Sequence, residues 1–111
     1  MLTMNVTMAQ FDVFVNPVSL ARRAYPFVVA MQSEFTINAA EQLVAPIASN
    51  AYGQSGPRRI TPVVVLQGSE HAVLVPRLTV VRSRDLVEKV ASVAAARSEL
   101  LAAVDYLFFG V

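Results

Sequence analysis

The chain has 111 residues, 55% of them hydrophobic, no cysteine, and a formal net charge of +1. That size predicts one domain, and the missing thiols exclude disulfides and thiolate metal sites. The near-zero charge leaves no long-range field to draw the chain to nucleic acid or to an anionic membrane.

A small domain has too much surface to hide so much apolar material, which predicts a homo-oligomer or an obligate partner; a tightly packed, alanine-rich monomer is the alternative. No apolar run approaches the roughly 18 to 20 residues needed to cross a bilayer. The opening "MLTMNVTMAQF" has neither a positive start nor an apolar centre, so it does not read as a secretory signal. Together with the absence of cysteine, this fits a cytoplasmic protein. Three methionines in eight residues leave two readings. Either residues 1–8 are an extension that precedes a single domain over 9–111, with Met8 a natural start, or they are a short arm.

In chain order, "AQFDVFV" at 9–15 alternates, with Phe11, Val13 and Val15 on one side and Gln10, Asp12 and Phe14 on the other. This predicts a half-buried strand closed by Asn16-Pro17. "PVSLARRA" forms a loop, and "YPFVVAMQSE" at 25–34 supplies the second strand of an antiparallel hairpin. "EQLVAPIAS" at 41–49 is a third strand whose internal proline predicts an edge position or a bulge. "NAYGQSGPRR" at 50–59 is a loop. "ITPVVVLQGSEHAVLVP" then reads as two β-branched runs joined by a tight turn at Gln67-Gly68-Ser69. "LTVVRS" adds a short strand.

From Asp85 the hydrophobic period lengthens. Asp85 followed by Glu88 reads as a capping box, predicting a helix from there to Gly110. Leu86, Val90, Val93, Ala94, Leu101, Val104 and Phe108 would share its buried face. Strands followed by one long C-terminal helix predict an α+β domain: a small, bent antiparallel sheet or barrel with the helix packed on it.

Catalytic motifs are missing. His71 is the only histidine and lies in a predicted strand, where a satisfied structural residue is the commoner outcome than a base. One histidine and no cysteine do not make a zinc site, and no phosphate or nucleotide loop is present, so no metal or cofactor is expected. Arginine doublets at Arg22-Arg23 and Arg58-Arg59 fall in predicted loops. Joined with His71 they keep an endoribonuclease reading open. Otherwise the sequence does not resemble an enzyme.

A surface remains. The chain ends "AVDYLFFGV", and helix geometry turns Phe109 about 100° from Phe108. Phe109, Gly110 and Val111 would therefore project past the domain, either as an apolar binding anchor or as a patch covered by a second subunit.

The segments "AQFDVFV", "YPFVVAMQSE", "LVAPIA", "TPVVVLQG" and "AAVDYLFFGV", in that order over residues 9–111, resemble the CcdB family of bacterial toxins. "FVVAMQSE" and the aromatic-Gly-aliphatic ending are the specific parts. The resemblance implies a homodimer with a bent, SH3-like barrel and a C-terminal helix. It also implies a toxin–antitoxin system in which the paired helix ends enter DNA gyrase between its A subunits and trap cleaved DNA. A cognate antitoxin would neutralise the toxin and join it in repressing their operon, and no catalytic step would belong to the toxin.

On this resemblance the gyrase-binding residues are Phe109, Gly110, Val111, Asp105 and Phe35. The best-known members carry tryptophan where Phe109 stands, stacked on a gyrase arginine. Phenylalanine keeps the π-face but weakens that attraction by about 0.5 to 1 kcal/mol. Asp105 replaces an asparagine, and Phe35 corresponds to an apolar residue on the gyrase-facing surface. A non-toxic dimeric relative is the third reading beside poison and nuclease.

Overall fold

The computed structural model describes residues 8–36, 40–49 and 57–111. Residues 1–7 of the proposed extension, and most of the loop expected at 50–59, lie outside them. Seven strands form one antiparallel sheet: β1 (Asp12–Val15), β2 (Phe27–Ala30), β3 (Glu41–Ser49), β4 (Val63–Leu66), β5 (Ser69–Val73), β6 (Thr79–Arg82) and β7 (Lys89–Ser92). Among the described residues a single α-helix, α1 (Arg97–Phe109), follows. The strand order is β4-β5-β3-β2-β1-β7, with β6 also paired to β3. The sheet curls into a half-barrel, and the α+β architecture expected from the sequence is the one found.

The long strand β3 organises the sheet. One edge pairs with β2 over Val44–Ile47; the other pairs with β6 over Glu41–Val44 and with β5 over Ile47–Ser49. Pro46 is therefore central, which corrects the expectation of an edge strand. The reason it is tolerated is local. Its carbonyl accepts from the Leu74 N–H, and a strand residue's N–H points to the same side as its carbonyl. The missing donor thus faces the gap between β5 and β6, where the 3₁₀ turn Val75–Arg77 crosses and no ladder bond is forfeited.

Strand β1 is buried on both sides, not on one. Its inner side chain Val13 joins Val29, Ala45, Ile47 and Val73 beneath α1. Its outer side chain Phe14 packs with Val28, Ala30, Val44 and Leu86 on the opposite face of the sheet. Asp12 is also buried; its carboxylate accepts the Ala9 N–H at 2.8 Å and pairs with Lys89 Nζ at 3.3 Å, tying β1 to β7. A strict apolar–polar alternation was the wrong template because a second, smaller core covers the outer face.

The larger correction concerns the helix start. Residues 89–92 are strand β7, paired with β1, and α1 begins only at Arg97 after a 3₁₀ turn at Ala94–Ala96. Asp85 ends a 3₁₀ turn and binds Arg82 at 3.1 Å, so no capping box forms with Glu88. Leu86 lies in the outer core and Val93 in the inner one, on opposite faces of a sheet that no single helix stripe could span. The open edge of β1 and the β-branched Val87 and Val90 win over the helical spacing of Leu86 and Val90.

The expected β4–β5 hairpin is present, but its turn has two residues and Ser69 already belongs to β5; φ is +52° at Gln67 and +81° at Gly68. Both values match the primed turn whose twist suits a hairpin, and asparagine adopts the first position more readily than glutamine. Gln67→Asn is expected to raise stability by about 0.5 kcal/mol, read as a higher midpoint in urea. A fall would show that the glutamine side chain has a role of its own.

Candidate binding site at the helix end

Helix α1 is anchored by its first half. Leu100 and Ala103 are fully buried against the inner core, and Leu101 and Val104 pack partly against it. The sequence expectation placed the stripe through Leu101, Val104 and Phe108. Its phase had been set from Leu86, which is not on the helix. Starting from Arg97, the stripe runs through Leu100, Ala103, Val104 and Leu107, and at Leu107 it is already 38% exposed. The helix therefore outruns the sheet after Val104.

Phe108, expected in the core, is 64% exposed for the same reason. It lies about 7 Å along the axis beyond Ala103, the last fully buried residue of the helix. Phe109 is 75% and Val111 77% exposed, and Asp105 is exposed beside them. Gly110 closes the helix in the left-handed conformation, φ +73°, its N–H donating to the Tyr106 carbonyl at 2.9 Å. A Cβ built there would meet nothing within 4 Å. The glycine is required by its backbone, and the space around it is open.

Four apolar side chains, Leu107, Phe108, Phe109 and Val111, thus crowd one exposed tip around a compact turn. The proposed residues Phe109, Gly110, Val111 and Asp105 come together there. Phe35 is fully exposed on the turn after β2, a separate surface element. The sequence reading missed Arg59, whose guanidinium stacks 3.9 Å from the Tyr106 ring centroid and braces the last turn of α1 from its polar side. Nothing in the spacing of these two residues signals that pairing.

Truncation before Phe109 removes only exposed groups and the helix stop. The shortened chain is expected to unfold within about 1 kcal/mol of the full one, read by thermal denaturation. A loss of cooperative unfolding would show that the tip belongs to the core.

The residues of the nuclease reading have separate surroundings. His71 is buried in β5, with Nδ1 3.0 Å from the Ser69 carbonyl and its ring edge-on to Phe27. Arg22 donates from Nε to the Asn16 carbonyl. Arg58 and Arg59 line a cleft against α1 that does not include His71. Among the described residues no three His, Asp or Glu side chains are grouped to hold a metal, and no helix is long and apolar enough to cross a membrane.

A search of curated proteins finds no match to the chain. A family model described as CcdB protein matches residues 10–110, nearly the whole length. The sequence segments, the curled antiparallel sheet with its single terminal helix, and that match place the chain in the CcdB family.

Proposed function

We propose that this chain is the toxin of a type II toxin–antitoxin pair and acts by binding and poisoning DNA gyrase. The observation that carries the reading is the apolar helix tip, exposed and closed by a left-handed glycine, in a chain of the CcdB family. Phe109 supplies a flat, rigid apolar anchor with few rotamers to lose. Gly110 leaves room for the partner's surface beside it, and Val111 extends the apolar contact to the terminus. Asp105 offers a carboxylate to a donor on gyrase, and Phe35 adds apolar area.

The working unit is a homodimer. A cleft with two-fold symmetry is best filled by two copies of one anchor held near the same axis, and an isologous interface beside the C-terminal helix provides this. The exposed Leu107 and Phe108 suit that interface, leaving Phe109 to Val111 for the target. The toxin acts as a wedge in the cytoplasm and performs no bond chemistry. A cognate antitoxin competes for its surface, and the two together repress their operon.

The test is a supercoiling and DNA-cleavage assay with the host gyrase. Inhibition of supercoiling with accumulation of cleaved DNA supports the reading; full supercoiling at saturating protein ends it. RNA incubated with the protein alone should remain intact, and cleavage there would favour the nuclease reading instead. Sedimentation should give the mass of a dimer.

A further inference from the structure

The two end strands of the sheet, β4 and β7, face the same cleft at the other half of α1. It has a volume of about 680 Å³ and is walled by Val63, Val65, Val93, Ala96 and Ala102, with Arg58 and Arg59 at its side. The hairpin register determines where the β4 backbone points. Leu66 opposes Ser69 across a two-residue turn, Val64 opposes His71, and the Val73 N–H donates to the Pro62 carbonyl at 2.8 Å. Alternate residues are thereby committed to β5. The N–H and C=O groups of Val63 and Val65 face away from it, and β4 has no second neighbour among the described residues.

At the other lip, the Val93 N–H donates to the Phe11 carbonyl. Ser92 therefore turns its backbone away from β1 and toward the cleft. The cleft thus presents strand-spaced donors and acceptors between walls of small apolar side chains.

We propose that this cleft binds an extended peptide segment of a partner protein, added as a strand to β4, with apolar side chains alternating with acidic ones. Strand addition follows from the outward backbone groups of Val63 and Val65, about 7 Å apart at strand spacing. Apolar side chains follow from the valine and alanine walls. Acidic ones follow from charge: two guanidinium groups, Arg58 and Arg59, against the single carboxylate of Glu99. Arg59 is already held in place by Tyr106, so its charge is presented at little entropic cost. Ala102, the cleft's nearest wall on the helix, lies about 10 Å along the axis from Phe109, and the test reads peptide binding and not gyrase inhibition, so the two readings fail separately.

The test is selection from a phage-displayed library of random dodecapeptides on the full-length protein, followed by amide exchange and affinity measurements on the peptides recovered. The expected peptides alternate aspartate or glutamate with apolar residues, and their binding slows exchange of the Val63 and Val65 amides. Val65→Pro removes one outward donor and leaves the ladder to β5 intact, since that N–H takes no part in it. It is expected to weaken binding at least about tenfold. Arg58→Glu, at an exposed position, is expected to weaken it by a similar factor and to do so less at high salt. If Val65→Pro fails to fold, the Arg58→Glu and exchange results decide alone.

No enriched peptide, peptides without acidic residues, or binding that leaves the Val63 and Val65 amides unchanged would overturn the proposal. So would conversion of a dimer to monomer by Val65→Pro, which would make this edge a contact between copies of the chain.

Discussion

Phe109→Ala is expected to weaken gyrase inhibition by about 30- to 1,000-fold, the range that truncating a central aromatic anchor commonly produces. The side chain has no intramolecular role to lose, being 75% exposed at the tip of α1. Circular dichroism and the unfolding midpoint should therefore stay unchanged, which separates a binding defect from a folding one. Gly110→Arg acts differently. It forces a side chain into a left-handed backbone at φ +73° and fills the space next to the anchor. The strain costs about 1 kcal/mol of stability, but inhibition should vanish because the partner's surface is displaced.

Phe109→Trp should move the opposite way. The larger ring recovers the lost cation–π attraction and strengthens inhibition by about two- to fivefold. Dose–response curves for supercoiling with the three variants measure all these effects. If Phe109→Ala and Gly110→Arg inhibit as well as wild type, the tip is not the gyrase contact. A flat series in which Phe109→Trp also changes nothing would place the contact elsewhere on the surface.

The second large effect is on stability. Leu100→Ala is expected to cost about 2.7 to 5 kcal/mol, a large share of the 5 to 15 kcal/mol that holds a typical domain together. Leu100 is fully buried, and with Ala103 it forms the only part of α1 with no solvent contact. Alanine there removes the apolar group that fastens the helix to the sheet, and the smaller Ala103 cannot fill the space. Urea unfolding followed by circular dichroism reads the loss as a lower midpoint. A cost under about 1 kcal/mol would mean that the helix is held mainly through Leu101, Val104 and the Arg59–Tyr106 stack. Gyrase inhibition should fall with the folded fraction and no further.

The contrast between Leu100 and Phe109 shows which parts of this molecule are legible in its sequence. Strand existence was readable wherever β-branched residues ran between turn signals, and β3 was read with the bounds Glu41–Ser49 it has. The Gln67-Gly68 turn was readable because its local backbone demand selects glycine whatever the rest of the chain does. The segment from Asp85 to Ala96 was misread because its spacing is ambiguous. Leu86 and Val90 lie four apart, and only the unpaired edge of β1, more than 70 residues earlier, makes the stretch a strand. A window along the sequence contains no trace of that edge.

The same distance effect explains Pro46 and Phe14. Each was judged by a local rule and placed by a remote neighbour: the gap between β5 and β6 for the proline, and Leu86 for the phenylalanine. The exposure of Phe109 to Val111 was readable because a helix stop needs no tertiary information. That Phe108 joins them on the surface was missed, because the length of sheet beneath a helix is not written in the helix.

The pairing of β1 with β7 has a consequence for synthesis of the protein in a cell. The first strand made waits for almost the last, since Val13 finds Ala91 only after most of the chain exists. Until then β1 has β2 on one edge but nothing on the other, and it lacks the covers that Leu86 and α1 provide; contacts this far apart in sequence form late and slowly. A nascent chain therefore cannot complete its barrel before the ribosome has delivered β7 and the helix that follows. Tertiary order and the apolar tip both depend on residues from β7 onward, so a product terminated before β7 lacks both.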